Sequence, residues 1–147
     1  MRILAISTII LSQIACSKLD PCGNDILQEV QSPNKQSRVV IFQRSCGATT
    51  GYSTQVSVLF QKEAFYTEST WFKSTSQANC FTCDSDGKAA PGPGGGPVVK
   101  ARWLSEQNVE IEYDELARTF LKNTKVGNVE VTYKPAHYPR DMLKDKW

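Results

Sequence analysis

The residues of this chain best suited to chemistry are its five cysteines, Cys16, Cys22, Cys46, Cys80 and Cys83. Cys80-Phe81-Thr82-Cys83 has the spacing of a thiol redox motif, in which a helix N-terminus lowers the first thiol's pKa. The residues that follow, Asp84-Ser85-Asp86-Gly87-Lys88, spell a turn and lead into a Gly/Pro stretch instead of a helix. The same pair could begin a zinc site, which needs two further ligands. His137 is the only histidine and there is no second Cys-x-x-Cys, so no metal and no cofactor are expected. The reading is a small disulfide, Cys80–Cys83, pinching a loop, with redox work by these thiols as the weaker alternative.

A second cluster runs from Arg44 to Thr54. Gly47 and Gly51 free the backbone to turn N–H groups toward an anion, and Thr49, Thr50, Ser53 and Thr54 add hydroxyls beside Arg44. Such a nest binds anions. The Lys-Ser/Thr ending of a phosphate-binding P-loop is missing. The competing reading is a tight connection between two strands. Glu110 and Glu112 share one strand face, with carboxylates about 7 Å apart; that resembles glycosidase spacing, but a solvated face explains it more simply. Trp71, Phe72 and Trp103 read as core and not as a sugar platform. His137, within Pro135-Ala136-His137-Tyr138-Pro139, is expected to meet solvent.

The elements that would carry these residues begin with an export signal over residues 1–15. Met1-Arg2 gives a positive start, residues 3–11 an uncharged apolar run, and Ser12-Gln13-Ile14-Ala15 a more polar end. That is the layout of a secretory signal, and the run falls short of the ~20 residues that span a bilayer. Ala15-Cys16 fits a bacterial lipobox, in which Cys16 carries lipid. Gln13 stands where that motif usually has leucine, yet ordinary signal cleavage also wants a small residue there. With Cys16 acylated, four cysteines remain, and four allow three connectivities. Cys22–Cys46 with Cys80–Cys83 is the favoured set, in an oxidising compartment. The anchor would be the lipid, and the expected place is the bacterial cell envelope, periplasmic or on the outer face, or otherwise the medium.

Composition agrees with a folded domain: 40% of residues are hydrophobic and 22% charged. Seventeen basic and fifteen acidic residues give a net charge of +2, which lacks the basic footprint of a nucleic-acid binder. Residues 16–147 therefore read as one domain. Its periodicity is β almost throughout. Residues 26–30 form a short strand closed by Ser32-Pro33-Asn34-Lys35, and residues 38–44 an unbroken apolar strand covered on both faces. Val56, Val58 and Phe60 alternate, as do Val99, Ala101 and Trp103, then Val109, Ile111 and Tyr113, then Val129, Val131 and Tyr133. Asp114 is positioned to cap a short helix over residues 115–122, with Leu116 and Phe120 on one face. Residues 84–97 are expected to be an exposed, flexible loop. The fold class is mainly β, a single antiparallel meander-like sheet or a small sandwich with that one helix.

One stretch resembles a known family. Cys22-Gly23-Asn24, Val30-x-Ser32-Pro33 and the run from Val39 through Cys46-Gly47-Ala48-Thr49-Thr50-Gly51 to Ser57 look like small bacterial envelope proteins, signal-bearing or of lipoprotein type. Weaker similarity extends through Val99 to Leu104, Ile111-x-Tyr113, Ala117-x-x-Phe120 and Val129 to Tyr133, and residues 80–97 look like an insertion. The resemblance implies compartment and fold relatedness and carries no chemistry. The functional expectation is an exported, lipid-anchored binding or structural module with a protein or small-molecule partner. The rival readings are an envelope enzyme or anion-binding protein using residues 44–54, and a thiol redox protein.

Overall fold

The turn at Ser32 shows how the first hairpin is set. The Ser32 hydroxyl donates to the Ser37 carbonyl at 2.9 Å and accepts the Ser37 N–H at 3.0 Å. Lys35 adopts a left-handed φ of 58° to close the turn. The hairpin joins β1 (Gly23–Gln31) to β2 (Ser37–Ser45). The computed structural model describes residues 22–47, 51–67 and 77–140. The expected export signal over residues 1–15, Cys16, Thr49, Thr50, Trp71 and Phe72 lie outside these residues.

Five strands make one antiparallel sheet in the order β1-β2-β3-β4-β7, with β3 at Ser53–Phe60, β4 at Phe81–Asp84 and β7 at Arg118–Lys122. A second sheet has the order β5-β6-β9-β8, from Val99–Trp103, Asn108–Asp114, Val129–Ala136 and Lys125–Val126. The inner faces pack on each other. Val39, Ile41, Val56, Val58 and Phe81 of the first sheet share one core with Val109, Ile111, Val129 and Val131 of the second. On the edge where β1 meets β5, the Trp103 indole N–H donates to the Val30 carbonyl at 2.9 Å. Trp103 is thus half-buried core, as its alternation implied.

The mainly-β expectation holds, and the sandwich is the form it takes. β2 is buried on both faces because Val40 and Phe42 pack outward under Phe65 and Ala78. The second sheet is mixed, not a meander: β6 and β9 run parallel. Between them the chain crosses to the first sheet as β7 and returns through β8, so it enters β9 in the direction of β6.

Two expectations are corrected here. Residues 115–122 are not a helix but a turn followed by β7. Thr119 turns inward beside its partner Cys83, whereas Leu116 and Phe120, the supposed buried helix face, are 47% and 62% exposed. Partnering β4 satisfies the backbone of this segment and of β4 together, which outweighs a weak local helix preference. Asp114 does cap, but it caps a turn: its Oδ1 accepts the Leu116 N–H at 2.9 Å.

Residues 84–97 are exposed at Asp86, Gly87, Lys88, Pro91 and residues 93–95, but packed elsewhere. Ala89, Ala90, Gly92, Gly96 and Pro97 are buried, and Pro91 pairs with Pro97 in a β-bridge. Glycine makes the approach possible: a Cβ at Gly96 would lie 2.5 Å from the Thr54 hydroxyl. That hydroxyl donates to the Pro97 carbonyl at 2.8 Å. The stretch that looks like an insertion also supplies β4, an inner strand of the first sheet.

Candidate functional site

Cys80 and Cys83 are free thiols, which corrects the expected disulfide between them. Cys83 lies within β4 and Cys80 at the bend just before it, and three residues of extended strand span about 10 Å. A disulfide needs Cα atoms within about 7 Å. Both thiols face the core. Burial pushes each up to about 12, reinforced at Cys83 by the negative charges of Asp84 and Asp114. Over Cys80 lies Tyr133, whose hydroxyl reaches the Cys80 and Asn123 carbonyls at 2.8 and 2.7 Å and can donate to one at a time. Lys122 Nζ donates to the Tyr113 hydroxyl at 3.0 Å and stands 4.9 Å from the Tyr113 and Tyr133 ring centres. This arrangement keeps the sulfurs protonated and covered, the opposite of what a thiolate nucleophile needs.

The burial has a consequence in alkali. A thiol held near 12 in the fold and near 9 when unfolded binds its proton more tightly in the native state. Its stabilising contribution is complete below pH 9 and is lost as pH rises toward 12. At pH 10.5 the loss is expected to be about 2 kcal/mol per thiol. Guanidinium melts at pH 8 and 10.5 measure it, and the extra loss should vanish in Cys80→Ala/Cys83→Ala. An equal alkaline loss in that variant would show that the thiols carry none of it. Alkylation at pH 8 should likewise modify neither thiol until the chain is unfolded.

Cys22 and Cys46 are bonded to each other as expected. The bond closes the open end of the β1–β2 hairpin, beside the Gly23–Ser45 pair. A disulfide there fits a compartment outside the reducing cytoplasm. Among the described residues, no helix is long and apolar enough to cross a membrane.

The bonded end is also where the loop with anion-binding potential lies. Asn24, Arg44, Ser53, Asp84 and Arg118 are successive cross-strand partners in one row across the first sheet. Arg44 Nη1 donates to Asn24 Oδ1 at 3.2 Å, and Arg118 to Asp84 Oδ2 at 2.7 Å and toward Asp86 Oδ1 at 3.4 Å. Gly47, with φ of 102°, turns the chain just beyond this row, and Gly51 is exposed. Thr54 faces inward to Pro97, so it does not line the loop.

Glu110 and Glu112 do lie on the outer face of the second sheet, and both are paired with cations. Arg102 donates to Glu110 at 2.9 Å from the adjacent position on β5. Lys134 donates to Glu112 at 2.9 Å from β9, Tyr138 does so at 2.5 Å, and Lys100 stands 4.0 Å away. The Tyr138 hydroxyl, and then Lys134, hold Glu112 below its ordinary carboxylate value. These side chains rim an open hollow of about 320 Å³. A carboxylate tied this way is an acceptor in a cross-strand ladder, not a poised acid. His137 is exposed and meets Glu115 at 2.9 Å.

Asp114 is the important polar residue that sequence reading placed correctly but misjudged in role. It is fully buried, and its Oδ2 accepts the Ala90 N–H at 2.8 Å. It thereby ties the Gly/Pro stretch to the end of β6. No protein-family model, curated protein or solved structure matches the chain.

Proposed function

We propose that this protein is exported and held at the bacterial cell envelope by lipid on Cys16, where it serves as a binding or structural module with a protein or small-molecule partner. The observation that carries the reading is the Cys22–Cys46 disulfide, six residues beyond Cys16. It fits an oxidising destination. With that pair bonded, and Cys80 and Cys83 buried as thiols, Cys16 is the remaining cysteine, next to the Ala15 of a lipobox-like ending. A module role is supported by how the polar groups are engaged: Glu110 and Glu112 of the outer face are bound by cations, and the thiols are covered. The resemblance of residues 22–57 to small envelope proteins points the same way.

Replacing Cys16 tests the anchor. The unaltered chain is expected to sediment with membranes, resist high salt and leave with detergent. Cys16→Ala should move to the soluble fraction, because one or two acyl chains are then absent from the membrane partition. Equal membrane association of Cys16→Ala would refute the lipid anchor.

A further inference from the structure

If Cys16 carries the lipid, the fold decides which surface the membrane meets. Five residues, 17–21, separate Cys16 from Cys22. Six Cα steps reach at most about 21 Å when fully extended. Cys22 cannot drift from the sheet, because its sulfur is bonded to Cys46 at the end of β2. The tether is therefore fastened to one end of the sandwich, the end beyond the Asn24-Arg44-Ser53-Asp84-Arg118 row. The nine-residue strands β1 and β2 put the opposite turns, around Ser32 and Gln107, about 30 Å farther away.

What lies at the tethered end suits a headgroup surface. Tyr52 and Leu116 are there, 48% and 47% exposed; Tyr52 immediately precedes β3 and Leu116 lies two residues before Arg118. Tyrosine favours the membrane interface, where its ring is apolar and its hydroxyl wet. The chain also leaves the fold at this end. Ala136, the last residue of β9, pairs with Asp114, and Arg140 donates to the carbonyls of Gly87 and Lys88, just past β4. Basic and acidic groups nearly balance there, with Arg44, Lys88, Arg118 and Arg140 against Asp84, Asp86 and Glu115. The seating therefore depends on the tether and the apolar contacts more than on charge.

We propose that this end of the sandwich is the membrane-facing surface of the protein, with Tyr52 and Leu116 at headgroup level, leaving the far turns and the charged outer face of the second sheet open to a partner. The inference rests on the lipid-anchor reading and deepens it. The test uses the full acylated chain in phosphatidylcholine vesicles containing a nickel-chelating lipid. Nitroxides are attached at Tyr52→Cys, Leu116→Cys or, at the far end, Ser105→Cys; Cys80 and Cys83 stay unlabelled because they are buried. Relaxation by headgroup nickel is expected to be several-fold stronger at positions 52 and 116 than at 105. Equal or reversed relaxation in a chain that carries acyl mass and floats with the vesicles would overturn the orientation and leave the anchor standing. A chain without acyl mass that fails to float would overturn both.

Discussion

Asp114→Ala is expected to lower the unfolding free energy by about 4 kcal/mol, since each of the two hydrogen bonds to a charged acceptor contributes about 2. The carboxylate is fully buried and accepts the N–H groups of Ala90 and Leu116. Alanine leaves the buried Ala90 N–H without a partner where water does not reach, and the Leu116 N–H without its acceptor in a half-exposed turn. The Gly/Pro stretch would lose its tie to β6, and the turn into β7 would lose its cap. Asp114→Asn keeps one acceptor and sets an NH2 group against the other donor, so its cost should fall between wild type and alanine. Guanidinium melts check this through the midpoint at unchanged slope. A cost below about 1 kcal/mol for alanine, the level of an exposed cap, would contradict the role assigned to Asp114.

The second large effect belongs to the disulfide. Cys22→Ser/Cys46→Ser is expected to destabilise by about 3 kcal/mol, the chain-entropy value for a loop of this length. The effect should be local as well. β1 is an edge strand with mostly exposed side chains; near Gly23 it is held by β2 pairing, the Asn24 bonds to Tyr66 and Thr67, and the disulfide. Hydrogen exchange in the variant should quicken at the amides of β1 near Gly23 while those of β3 stay protected. An unchanged melting midpoint, or equal acceleration in both strands, would contradict this account of the bond.

Much of the sheet could be read from the sequence because period-two alternation is a direct record of one buried face. Val109, Ile111 and Tyr113 with Glu110 and Glu112 between them is such a record, and the double burial of β2 shows in its unbroken apolar run. Residues 115–122 misled for a physical reason. Leu116 and Phe120 stand at helical spacing, yet the segment's fate was decided by β4, a partner more than thirty residues upstream. Local pattern carries no trace of such pairing. The same holds for the parallel β6–β9 contact, which depends on where the intervening chain crosses.

The Gly/Pro stretch misled in the other direction. Composition suggested freedom, but Gly96 and Gly94 are small so that the chain can lie against Thr54 and Gln43. At the candidate sites, spacing identified Cys22–Cys46 correctly and failed at Cys80 and Cys83. A Cys-x-x-Cys closes easily in a turn and not along an extended strand, and the strand became visible only with its neighbours. Glu110 and Glu112 were legible as a solvated face; their cation partners, from two other strands, were not.

The most direct test of the central claim is the intact mass of the protein recovered from membranes, with thiols alkylated before unfolding, after unfolding, and after unfolding with reduction. The account predicts a chain that begins at Cys16 with added acyl mass and takes up no alkyl group while folded. It should then take up two groups when unfolded and four when also reduced. A chain without acyl mass, or one whose Cys22 and Cys46 alkylate without reduction, would contradict an anchored envelope protein closed by that one disulfide.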